Sequence, residues 1–265
     1  MKPKLLILTM LFAIKLYGQT KMVSKHERWR YEDYYVSETD TDIREGKYQR
    51  TTGGNNPTPM VAGYYHGNLK DSTWTYYSGA NRVAEGSYKA GKKSGVWTGY
   101  TRGFERLKYD FTANALLAYV QAPIDTVFHF SPVAKAAATD SVRRPIYING
   151  LQTMVLFLGR EIHYPAVARE TNKQGELLVS LLIDENGHTS HVSIKTGLSP
   201  QLDEEVLRVF DLLEGEWVPG LLNGKPAAME IEIPVLFELG KPFDTPHKAN
   251  QLIIVRGALG VIRIR

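Results

Sequence analysis

The stretch Gly175-Glu176-Leu177-Leu178-Val179-Ser180-Leu181-Leu182-Ile183, followed by Asp184-Glu185-Asn186-Gly187, decides the fold of the C-terminal half. Leu177, Val179, Leu181 and Ile183 alternate along nine residues, the period of a strand with one face in a core. Asn186-Gly187 accepts the positive φ of a type I′ hairpin turn. The returning strand then points Val192 and Ile194 inward and His191, Ser193 and Lys195 outward.

Working outward, Ser199 is placed as an N-cap, with Pro200 at the first helical position and Asp203-Glu204 in the first turn. Leu202, Val206, Val209, Phe210 and Leu213 follow at helical spacing, and Gly215 ends the helix. Trp217-Val218-Pro219-Gly220 and Asn223-Gly224-Lys225-Pro226 are two turns, after which a strand runs from Ala227 to Leu239. In it Met229, Ile231, Ile233, Val235 and Phe237 take one face, and Glu230, Glu232 and Glu238 the other. Upstream, Gly150 to Leu158 is a first helix, and Pro165 opens a short one that runs to about Thr171.

The order is therefore helix, strand, strand, helix, strand. Tyr164-Pro165 with Ala168, Gly175 opening an alternating strand, the Asp184-x-Asn186-Gly187 turn, Leu202-Asp203-Glu204, Trp217-x-Pro219-Gly220, Gly224-Lys225-Pro226 and Pro234-x-x-Phe237 together resemble the TonB C-terminal domain. The resemblance covers residues 143–239, with Arg144-Pro145-x-Tyr147-x-x-Gly150 as its lead-in. It implies an α+β domain with a three-stranded antiparallel sheet and helices. The departures are Glu214 and Glu216 around the Trp-Pro turn and the extension 240–265.

Residues 20–110 have another texture, rich in Tyr, Trp and Gly. Tyr65 and Tyr88, Trp74 and Trp97, and Tyr77 and Tyr100 all stand 23 apart, and Glu45-Gly46-Lys47-Tyr48 is a degenerate earlier copy. Aromatic strands between Gly turns at this period predict stacked β-hairpins, because one hairpin alone buries too little. Each ring can bury roughly 150–250 Å² in a shared layer. The spacing resembles MORN-type repeats of the version found in bacterial antitoxin-like proteins. Packing is the expected role of the rings, in preference to a ligand or lipid platform. Residues 111–142 are read as a linker, with a strand or short helix over 113–120.

Lys2 and Lys4 precede an apolar run from Leu5 to Ile14 that Lys15 interrupts, and Gly18 is a small residue before a polar stretch. This is the pattern of a signal peptide over 1–18. A membrane-spanning helix needs about 20 apolar residues, so cleavage and a periplasmic location are expected, with inner-membrane anchoring and membrane contact only if the segment is retained. The net charge of +4 is scattered, without the basic face of a nucleic-acid binder. There are no cysteines, which excludes disulfides and thiolate chemistry.

No catalytic, metal or cofactor site is expected. His188 and His191 would point to opposite faces of a strand, Glu204 and Glu205 are adjacent on a helix, and no phosphate-binding or nucleophile motif is present. The expected function is protein binding. Pro234, lacking an N–H, marks an edge strand or a bulge. The resemblance implies that residues near Glu230, Ile231, Glu232, Ile233, Pro234, Val235 and Phe237 capture a segment of an outer-membrane TonB-dependent transporter by strand addition, in service of transmembrane transport, with Tyr164 and Pro165 shaping the neighbouring helix start. Energy transducers of the family carry a membrane helix and a Pro-rich spacer that are not read here, so binding is implied more than transduction. In a competing reading the tail covers that edge, since Gln251 to Val255 and Val261 to Ile264 are β-prone and an uncovered edge invites aggregation. The alternative function is a structural envelope interaction protein acting through its repeats.

Overall fold

The computed structural model describes residues 20–27, 30–126, 128–213, 216–239, 252–255 and 261–262; the expected signal peptide lies outside them. The first half is one antiparallel meander of nine strands: β1 (Thr20–His26), β2 (Arg30–Ser37), β3 (Arg44–Thr52), β4 (Pro59–His66), β5 (Leu69–Ser78), β6 (Asn81–Lys89), β7 (Lys92–Thr101), β8 (Phe104–Asp110) and β9 (Ala115–Tyr119), each hydrogen-bonded to the next.

The 23-residue period has a physical unit. The Trp74 ring lies on Gly63, where an added Cβ would fall 2.3 Å from the indole, and the Trp97 ring lies on Gly86 in the same way at 2.1 Å. Each indole N–H donates to a carbonyl one strand away, Trp74 to Tyr64 and Trp97 to Ser87, both at 3.1 Å. The rings form one layer: Tyr48 stacks on Trp74 at 5.5 Å, Tyr88 meets Trp74 at 5.9 Å and Trp97 at 5.1 Å, and Phe111 closes on Trp97 at 5.9 Å. The nine-stranded sheet is consistent with stacked repeats, and its rings pack one another, the role given to them from the sequence.

The second half contains β10 (His129–Pro132), β11 (Val142–Arg143), β12 (Ile146–Tyr147), α1 (Leu151–Glu161), α2 (Ala166–Glu170), β13 (Gly175–Ile183), β14 (Thr189–Thr196), α3 (Pro200–Asp211), β15 (Trp217–Val218), β16 (Gly220–Leu222), β17 (Lys225–Ala227), β18 (Met229–Glu238), β19 (Leu252–Val255) and β20 (Val261–Ile262). Leu177, Val179, Leu181 and Ile183 of β13 and Ile231, Ile233, Val235 and Phe237 of β18 are fully buried beneath stripes from α1 and α3.

Four expectations are corrected. The expected three-stranded sheet, β14-β13-β18, is the core of a sheet that has six strands among the described residues: β10 and β19 both pair with β18, and β20 with β19. Within 111–142 the strand read over 113–120 is β9, which completes the first sheet, but the rest is not all linker, because β10 joins the second. Only Gly187 of the Asn186-Gly187 pair has positive φ, so the turn is not type I′: Gly187 N–H donates to Asp184 O, and the register shifts between Leu182 and Ile183. Asn223 and Gly224, both at positive φ, carry the features of type I′ instead. Finally, the Ser199 hydroxyl makes no cap bond. Asp203 reaches back from the first turn to accept from the Leu198 N–H at 2.9 Å.

The two halves are not separate cores on a string. The two-residue ladder β12–β15 pairs Ile146 with Val218 and Tyr147 with Trp217. Alternation sends Ile146 and Val218 into the aromatic core of the first sheet, and Tyr147 and Trp217 into the core of the second. Gly99 permits the approach, since a Cβ there would stand 2.2 Å from the Ile148 carbonyl oxygen.

Candidate protein-binding edge and the module junction

β18 is the strand on which the expected site falls. One long side is taken by β13, antiparallel from Met229 to Phe237. The other side is divided: β10 pairs antiparallel with Met229–Glu232, and β19 pairs in parallel with Val235–Glu238. β18 is therefore not an open edge strand, and the tail covers its C-terminal half, as the competing reading had it. Ile233 and Pro234 fall in the gap between the two partners on that side. A proline in a central strand is tolerated where a neighbouring ladder is interrupted.

The side chains alternate as read from the sequence. Ile231, Ile233, Val235 and Phe237 face the core, while Glu230 and Glu232 are half-buried on the opposite face. There Lys195 of β14 donates to both carboxylates, at 3.1 Å to Glu230, and Ser180 also donates to Glu230. The Ser180 and Lys195 hydrogen bonds hold the Glu230 carboxyl below its ordinary value, and the hydrogen bonds to Glu232 and then Glu230 raise Lys195. These acids are thus tied to β13 and β14 across the sheet face, away from the open ladder positions. Tyr164 is buried, with its ring edge on Phe237 at 5.3 Å and its hydroxyl donating to Lys173 O at 2.5 Å. Burial raises its pKa. Pro165 is the N-cap of α2 and is half-buried. Tyr164 thus supports the end of β18 from within, while Pro165 opens α2 beside it in sequence.

A second constellation lies at the junction and was not singled out in the sequence. Glu216 is buried between the modules. Its carboxylate accepts from Lys93 at 2.8 Å, from His188 at 3.0 Å, from Lys70 at 3.4 Å, from the Tyr76 hydroxyl at 3.3 Å and from the Tyr88 hydroxyl. Burial alone would raise its pKa, but Lys93, the His188 hydrogen bond and Lys70 outweigh that and hold it well below the carboxylate range. Lys93 also donates to the carbonyls of Asn186 at 2.9 Å and Gly187 at 3.0 Å, clamping the β13–β14 turn onto the first sheet. His188 is thereby engaged by a carboxylate, while His191 is exposed on β14.

Neither a curated protein nor a solved structure matches the chain. The family model of the Gram-negative bacterial TonB protein C-terminal matches residues 160–239, from the last turn of α1 to just beyond β18, and leaves the nine-stranded sheet, β10 and the tail strands outside it.

Proposed function

We propose that this chain is an exported, non-enzymatic binding protein of the cell envelope, whose TonB-type domain takes up an extended segment of an outer-membrane transporter by strand addition on β18, in support of TonB-dependent transport. The family match over residues 160–239 carries this reading, since members of that family contact outer-membrane transporters. The sheet supports it, because the C-terminal half of β18 is flanked on its outer side by a strand of only four residues. A partner strand there gains main-chain hydrogen bonds without disturbing β13.

The test is an NMR titration of the full chain with synthetic peptides from the N-terminal regions of transporters of the same organism. The full chain is required because Glu216 and the β12–β15 ladder belong to both modules. Shifts centred on residues 233–238 support the reading, and saturation without change in β18 refutes it.

A second reading, a structural envelope protein that binds through MORN-like repeats, is favoured by one observation. The sheet face around β1–β5 carries an open groove of about 500 Å³ lined by Tyr35, Tyr64, Gln49, Lys47, Thr73 and Thr75. In the same titration, shifts confined to those residues would favour it.

A further inference from the structure

We infer that the C-terminal strand β19 is a resident occupant of the binding edge, and that a transporter segment gains β18 by replacing it. The inference rests on the strand-addition reading above and concerns how that site is regulated.

β18 has an uneven outer side. β10 holds Met229–Glu232 in the ordinary antiparallel sense, and it is delivered by the chain that leaves the first sheet. β19 holds Val235–Glu238 in the parallel sense, with Val235 opposite Leu252, Leu236 opposite Ile253, Phe237 opposite Ile254 and Glu238 opposite Val255. A parallel neighbour cannot be a tight hairpin; it must return from a distance. In the sequence, residues 240–251 separate the two strands. Geometrically β19 is placed as an incoming peptide would be, an extended segment laid beside a finished sheet.

Its side chains complete the imitation. Leu252 is fully buried in the same apolar cluster as Val235 and Phe237, and Ile253 is buried as well. The tail thus supplies two apolar anchors and a short run of main-chain pairing, the two elements by which strand addition achieves affinity and selection. The partner class follows from the resident: an extended, apolar segment of about four residues, running parallel to β18.

The resident is also the element whose departure disturbs the sheet least. β13 pairs with β18 along nine positions and β19 along four, and among the described residues only the two-residue strand β20 stands beyond β19. Exchange would leave β14-β13-β18 and the buried face of α3 in place, while α1, which packs against β19 and β20, would meet the incoming segment in their stead. Being covalently attached, the tail competes at a high effective concentration, so the full chain must bind a given peptide more weakly than a chain freed of its tail.

The absence of native cysteines permits a direct test. Leu236→Cys with Ile253→Cys places two thiols on directly opposite residues of β18 and β19. Oxidation then locks the tail onto its strand and reduction releases it, in one protein of one sequence. The probes are a fluorescent peptide from the N-terminal region of a transporter of the same organism and a fluorescent peptide of residues 250–256, followed by anisotropy. A chain ending at Leu239 is measured alongside. Reduced protein is expected to bind both probes, oxidised protein at least about tenfold more weakly, and the shortened chain at least about tenfold more tightly than the native one. Equal binding of the transporter peptide by oxidised and reduced protein overturns the inference and leaves the strand-addition reading to be sought elsewhere on the domain. Failure of the transporter peptide to bind any form, while the 250–256 peptide binds the shortened chain, overturns the transporter reading itself. Because the locked and released forms differ by one bond, a folding defect in the shortened chain does not decide the matter.

Discussion

Replacing Glu216 by Gln keeps the shape of the side chain and removes its charge. In the folded protein that charge lies within 2.8 Å of Lys93, whose side chain is only 2% exposed, and it receives four further donors from Lys70, Tyr76, Tyr88 and His188. Glu216→Gln therefore leaves a buried ammonium beside a neutral amide whose N–H₂ meets donors. Removing one partner of a buried ion pair costs about 3–5 kcal/mol, because the surviving charge stays desolvated. For a chain of this size about 2–4 °C accompanies each kcal/mol, so Tm falls by about 6–20 °C. Glu216→Gln combined with Lys93→Met removes both charges and recovers more than half of the loss. Thermal and urea unfolding followed by tryptophan fluorescence measure both. The pH dependence has a definite sign. Folding depresses the Glu216 pKa below its ordinary 4.5, so its contribution is complete above 4.5 and is lost as pH falls through the folded value. The stability of the native chain rises with pH across the acid range, and Glu216→Gln flattens that slope. A loss below about 1 kcal/mol, the scale of an exposed pair, would refute the argument that this cluster joins the modules.

Three further outcomes are expected. Gly63→Ala and Gly86→Ala drive a methyl group into the Trp74 and Trp97 rings and lower stability by about 1–3 kcal/mol each, measured by urea unfolding. A chain ending at Leu239 exposes the ladder groups of Val235–Glu238 and self-associates at concentrations where the full chain does not; light scattering decides, and unchanged behaviour would mean the tail is not an edge cover. The mature protein is expected to begin near Gln19: intact mass of native material should lack the first 18 residues, whereas Met1 found in a membrane fraction would revive an anchored form.

The core of the C-terminal domain is legible because its signals are local. Period-two alternation in β13 and β18 and helical spacing in α3 name Leu177, Val179, Ile231, Val206 and Val209, all fully buried. The 23-residue period is legible for a related reason: a Gly must recur wherever a Trp ring must lie flat on the neighbouring strand. The state of the β18 edge is not local. It is set by β10, about a hundred positions upstream and only four residues long, and by β19, whose parallel register no turn signal announces. Pro234 was a true sign of interruption, yet one proline does not distinguish an open edge from a gap between two short partners.

Glu216 shows how part of the missing information was nevertheless present. It stands one residue before Trp217 and two before Val218. In an extended segment neighbours point to opposite sides, so Glu216 and Val218 share a face and Trp217 takes the other. Trp217 fills the core of the second sheet, and Val218 enters the aromatic core of the first. Glu216 must then be directed at that same aromatic sheet. A carboxylate on such a face survives only with cations and hydroxyls gathered around it. Lys93, Lys70, Tyr76 and Tyr88 come from three strands of the repeat sheet, and each alone reads as an ordinary surface or packing residue. Lys70, Tyr76 and Tyr88 meet within the first sheet, and β12–β15 brings the acid that completes the cluster. The acid that looked like a departure from the pattern of its own domain is the residue fitted to the other one, which is why its replacement, more than that of any residue on β18, tests whether the chain acts as a single body.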